Sequence, residues 1–122
     1  MSTQPVEPYG DPDALIPQPA MTREALREAV RHIRPLNLAQ YDRELGEAFD
    51  QAVRTESIGW MRTFLIKWAV FVAIERQPAR AAALRAAERT TGDPESSDQQ
   101  VLEAQSEIAR ILDAAEKEIG LG

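Results

Sequence analysis

The chain has 122 residues, 43% hydrophobic and 28% charged, with no cysteine and a net charge of −6. That is one domain's worth of sequence, long enough to bury a core without cross-links, and it leaves no disulfide or thiolate metal site. The acidic balance disfavours bulk binding to nucleic acid or an anionic membrane, and the absence of a basic, then apolar, N-terminal signal predicts a cytoplasmic protein.

Residues 1–21 hold Pro5, Pro8, Pro12, Pro17 and Pro19, three acids and no base. Proline removes backbone donors and blocks helix, so this stretch reads as a flexible leader. Residues 22–90 read as a helical core. Thr22 is a good N-cap for a first helix, which Pro35 stops at about Arg34; Leu26, Ala29, Val30 and Ile33 form its apolar face. Asn37 with Gln40 resembles a capping box for a second helix over 38–55. Its apolar stripe is Leu38, Tyr41, Leu45, Ala48, Phe49, Ala52 and Val53.

Ser57 is the expected cap of a third helix over 58–76, ended by Pro78. A fourth, alanine-rich helix follows near 79–90, closed by Gly92. The turn formers of 91–97 read as a hinge. Ser97 with Gln100 is a second capping box, opening a fifth helix over 98–120. The predicted fold is all-α, a small bundle of about four helices plus a C-terminal amphipathic helix after a hinge.

The third helix is apolar nearly all round, the mark of an element buried on every side. Trp60, Phe64, Trp68 and Phe71 stack into one stripe, with Met61, Leu65, Ala69 and Val72 beside it. A third sector, Gly59, Ile66, Val70 and Ala73, lies between Arg62 and Lys67. Either the helix is the centre of the bundle, or this third sector is covered by a second chain in a homodimer. Both readings stand together. The stretch is short for a membrane span and carries two cations.

Arg23, Arg27, Arg31 and Arg34 fall on one arc of the first helix. They form a phosphate-contacting ridge, a dock for an acidic segment, or a solvated flank diluted by Glu24 and Glu28. A helix-turn-helix reading is weakened by the second helix, whose Asp42, Glu44, Glu47 and Asp50 outweigh Arg43 and Arg54 in the groove-reading position. His32, the single histidine, has no Glu-x-x-His company, so no metal or other cofactor is expected. Ser57 and Ser97 are better explained as caps than as nucleophiles, and no Gly-rich phosphate loop is present. Catalysis is not expected.

Residues 93–122 hold 8 acids against Arg110 and Lys117. In the fifth helix Leu102, Ile108, Ile111, Leu112 and Ile119 share one side, with Glu103, Glu107 and Asp113 around them. Such a helix behind a hinge either folds onto its own bundle or lays its apolar side in another protein's groove. So much negative charge in thirty residues favours a basic protein partner.

Four segments add a resemblance: A-L-R-x-A-V at 25–30, Tyr41-Asp42 opening an acidic helix over 41–52, F-L-x-x-W-x-V-x-V-A-I-E-R-x-P at 64–78, and A-x-L-R-A-A-E at 82–88. The chain from Ala25 to Glu88 resembles a group of small helical actinobacterial proteins often encoded beside RelE/ParE-type toxins, which are small and basic. The resemblance implies an antitoxin-like role, with no catalytic residues to carry over. On that reading the acidic helix neutralises a small basic toxin. A dimeric DNA-binding autoregulator and a purely structural self-associating bundle are the alternatives.

Overall fold

The computed structural model describes residues 13–120. Five helices follow in order, α1 (Arg23–Ile33), α2 (Leu38–Thr55), α3 (Gly59–Glu75), α4 (Pro78–Gly92) and α5 (Asp98–Glu118), with a 3-10 turn over Pro35–Asn37 between the first two. No strand occurs among the described residues, so the all-α expectation holds.

The axis of the structure is α3. Its N-terminal part packs against α2 and α1, and its C-terminal end carries the α4–α5 hairpin. The first core holds Leu26, Ala29, Val30, Tyr41, Phe64, Trp68 and Val72. Tyr41 is its keystone, edge-on to Phe64 at 4.9 Å and to Trp68 at 5.2 Å between ring centroids. Its hydroxyl donates to the Arg23 carbonyl at 2.6 Å, so the one polar atom of a fully buried ring is satisfied. Burying each such large side chain contributes roughly 1.5–3 kcal/mol. The second core is smaller and built from small residues: Ala73, Ile74, Ala81, Ile111 and Ala115. Alanines at 81 and 115 let α3, α4 and α5 approach closely where the chain reverses.

The local signals mostly act as expected. Thr22 Oγ1 accepts from the Ala25 amide at 3.2 Å, and the Ser97–Gln100 capping box is complete. Asn37 is a correction. Its backbone is already helical (φ −93°, ψ 0°), so its side chain cannot reach an amide of the first turn and donates instead to Gln40 Oε1 at 3.4 Å. Ser57 stands one residue early: Ile58 is the N-cap of α3, and Ser57 Oγ accepts from the Gly59 amide at 3.2 Å. Between the two helices, Glu56 takes a left-handed conformation (φ 55°) to end α2.

Three further expectations are corrected and a fourth is narrowed. The leader reading fails for residues 13–21, which lie as a strap along α3; residues 1–12 lie outside the described residues. The Leu15 amide donates to the Arg76 carbonyl at 2.7 Å, Gln18 Nε2 to the Ala69 carbonyl at 3.3 Å, and Ile16 and Met21 pack on the first core. Proline forbids helix, but it does not forbid an extended segment with apolar anchors. The apolar stripe of α2 is wider than its cover: Phe49 and Val53 face outward, 59% and 64% exposed. Trp60 leaves the aromatic stack and stands 46% exposed, its indole donating to Thr55 Oγ1 at 3.0 Å. In the third sector of α3, Ala73 is fully buried by the chain's own α4 and α5, Val70 packs against that cluster, Ile66 is half-buried and Gly59 exposed. A second chain is not needed to cover Ala73.

Candidate functional site

The segment between α4 and α5 is a tied turn. Ser96 Oγ donates to the Thr90 carbonyl at 2.8 Å, the Ser96 amide to the Asp93 carbonyl at 3.0 Å, and the Glu95 amide to Asp93 Oδ1 at 2.9 Å. From there α5 runs back along α4, with Ala87 and Ala104 buried. The predicted hinge therefore returns the helix onto its own bundle.

What fastens the far end is a charged cluster that sequence reasoning missed. Glu118, with a side chain 3% exposed, accepts from Arg76 Nη2 at 2.7 Å and from Gln77 Nε2 at 3.1 Å, and also pairs with Arg80. Arg76 itself donates to the Ile16 carbonyl at 3.3 Å, so one guanidinium joins the strap, α3 and α5. Glu75 makes the matching node on the other side, accepting from Arg34 at 2.6 Å and from Arg85. Each buried carboxylate is met by two arginines from different elements, which satisfies charges that burial would otherwise penalise heavily. The E-R-x-P run, from the last residue of α3 to the first of α4, thus supplies the junction of the fold.

Docking of α5 divides the residues expected to meet a partner. Ile111 is buried, and Ile119 packs against both cores. Ile108 and Glu107 are half-covered, and Glu107 is paired with Arg110. Leu102 and Leu112 remain outside, 60% and 38% exposed, with Glu103 and Asp113. The reason is angular. Asp98, Leu102, Gln105, Ala109, Leu112 and Glu116 recur by three and four on the outward stripe, and all are exposed. Ala104, Ile108, Ile111 and Ala115 recur on the inward one. The sequence pattern merges these two stripes into a single apolar side. Along the outward stripe, Asp98 and Glu116 form no ion pair among the described residues, nor does the neighbouring Glu103.

The arginine arc of α1 is occupied within the chain. Arg23 pairs with Glu24, Arg27 bidentately with Asp42, Arg31 with Glu28 and Arg34 with Glu75. Hydrogen bonding from Arg27 holds the Asp42 carboxyl below its usual range, and that from Arg31 does the same for Glu28. Arg34 does dock an acid, but one on α3. A phosphate-contacting role for this arc would have to displace these partners, three of which are exposed surface pairs.

A groove of about 600 Å³ runs between α2 and α3 past Arg43, Glu47, Trp60 and Thr63. Glu44 closes one side, accepting from Lys67 at 2.6 Å, Gln40 at 2.8 Å and Trp68 at 3.2 Å. Burial pushes its carboxyl up, but these three donors outweigh burial and leave it below the usual range. Glu44 is a strut between two helices, held ionised. Among the described residues no group of three or more His, Asp or Glu could hold a metal ion, and no helix is long and apolar enough to cross a membrane. Comparison with protein-family models, curated proteins and solved structures finds no match to this chain.

Proposed function

We propose that the protein is a non-enzymatic binding module of antitoxin type, which engages a small basic protein through the outward face of α5 while that helix stays docked. The observation that carries this reading is the outward stripe, where Leu102 and Leu112 stand exposed beside Asp98, Glu103 and Glu116, carboxylates that form no ion pair with a described residue. Exposed leucines contribute affinity by burying apolar area, and surrounding charge selects a cationic partner and speeds encounter. The resemblance of residues 25–88 to proteins encoded beside RelE/ParE-type toxins names the partner class. Because Ile111 and Glu118 hold the helix in place, binding needs no undocking.

The test is calorimetric titration of a purified small basic toxin of the RelE/ParE type with the native chain and with the double variant Leu102→Ser, Leu112→Ser. Neither leucine belongs to a core cluster, so the thermal midpoint should hold. Affinity should fall at least about tenfold, equivalent to ~1.4 kcal/mol. Unchanged affinity in a folded double variant, or no heat with the native chain, rejects the reading.

A further inference from the structure

The strap over 13–21 and the last turn of α5 meet at one side chain. Arg76 donates through Nη1 to the Ile16 carbonyl at 3.3 Å and through Nη2 to Glu118 Oε1 at 2.7 Å. Its own carbonyl accepts from the Leu15 amide at 2.7 Å. Gln18, Pro19 and Met21 of the strap face Glu118 and Ile119 across a cavity of about 150 Å³. Ile16, Met21 and Ile119 all pack on the same core. The strap thus forms part of the wall that keeps Glu118 from water.

The two elements are held unequally. Along α5, Ala104, Ile111 and Ala115 are buried, whereas no residue of the strap is buried as a whole. Pro17 and Pro19 deprive the strap of two amide donors. Its anchors are the Leu15 and Gln18 bonds, the Ile16 carbonyl and two half-covered apolar side chains. Gln18 Oε1 is buried and meets no partner among the described residues, so lifting the strap restores hydration that closure removes. A segment with so few buried contacts opens at a lower free energy than the bundle does. Once it lifts, Arg76 and Glu118 gain water. A buried ion pair is costly to break and a hydrated one is not, so the hold on the end of α5 weakens with it.

We infer that the strap is a latch on the last turn of α5, so that the two open together as one unit while α1 to α4 and the first half of α5 stay folded. The device is separate from the toxin-binding reading, since it acts through the inward acid and not the outward leucines. It needs no partner protein.

Hydrogen exchange of the full chain, followed by mass spectrometry, tests this directly. Leu15→Pro deletes one strap bond, and the side chain it replaces is exposed, so the cores are untouched. Exchange over 114–119 should run at least about tenfold faster than in the native chain, with 38–55 and 98–111 at native rates. Ile16→Ser, which removes an apolar anchor and keeps the carbonyl, should act in the same direction. Coupling is reciprocal, so Glu118→Gln should speed exchange at the Leu15 amide by a comparable factor. Faster exchange confined to the strap in both strap variants overturns the proposal, as does a Leu15 amide indifferent to Glu118→Gln. Uniform acceleration over 38–55 and 98–119 overturns it equally, because the strap would then belong to the global fold and not to a separate unit.

Discussion

Removing the Glu118 carboxylate by Glu118→Ala should cost about 3 kcal/mol, and the figure can be built from the structure. The side chains of Glu118 and Arg76 are 3% and 8% exposed, so both charges have left water and depend on each other. Breaking a pair buried to that degree by deleting one member costs ~3–5 kcal/mol, because the other is stranded. Two effects pull the value toward the low end. Arg80 is 17% exposed and can rehydrate its guanidinium. Glu118 also ends α5, where a negative charge opposes the helix dipole by ~0.3–1 kcal/mol, a penalty that the substitution removes. Domains of this size are stable by ~5–15 kcal/mol, so the loss should be plain in urea unfolding followed by circular dichroism. Glu116→Ala, two residues away and exposed, is the control and should stay within about 0.5 kcal/mol of native. Replacing Glu118 and Arg76 together by methionine should recover most of the loss, since a buried pair can be exchanged for apolar packing at little net cost. A Glu118→Ala effect below about 1 kcal/mol, no larger than the control, would refute the view that this cluster fastens α5.

Three other outcomes follow from the geometry. Glu56→Gly should stabilise the fold by about 1 kcal/mol, because Glu56 holds φ 55°, which costs an L side chain and not glycine; urea midpoints at constant slope would show it. Ser97→Ala should lose ~1 kcal/mol by opening the Gln100 amide and undoing the capping box, with hydrogen exchange faster in the first turn of α5 than elsewhere. Burial first, then the nearby Asp42 charge, raises the Tyr41 phenol from 10.0 to about 12. The folded value lies above the unfolded one, so its contribution is whole below pH 10 and is lost as pH rises toward 12. The difference in stability between native chain and Tyr41→Phe should therefore shrink across that window, and a difference constant with pH would contradict it.

The helices were legible because their signals are local. Thr22, Pro35, Pro78 and the Ser97–Gln100 pair each act through neighbours within four residues, and each marks an end close to where α1 to α5 begin or stop. Asn37 shows the limit: the residue type was right, but the preceding 3-10 turn had already fixed its backbone as helical. Coverage was less legible than periodicity. In α2 the pattern marks Phe49 and Val53 as apolar alongside Tyr41 and Leu45, yet which of them meets a neighbour depends on where α1 lies. In α5 the same ambiguity merged Leu102 and Leu112 with Ile111.

Least legible was the cluster that joins the parts. Glu118 lies 42 residues from Arg76 and 38 from Arg80, and Glu75 lies 41 from Arg34. On the sequence each is one more charged side chain at a helix end, and Glu118 counts only toward the acidity of the C-terminal segment. Inside the fold it is the least available of those acids, already neutralised by two guanidinium groups. Charge summed along a segment therefore overstates the charge offered to a partner: Glu107 and Asp113 are also answered, by Arg110 and Lys117. What α5 has left to present is Asp98, Glu103 and Glu116 around two leucines, so the proposed engagement of a basic protein depends on the outward stripe, and the inward acid secures the platform that holds it.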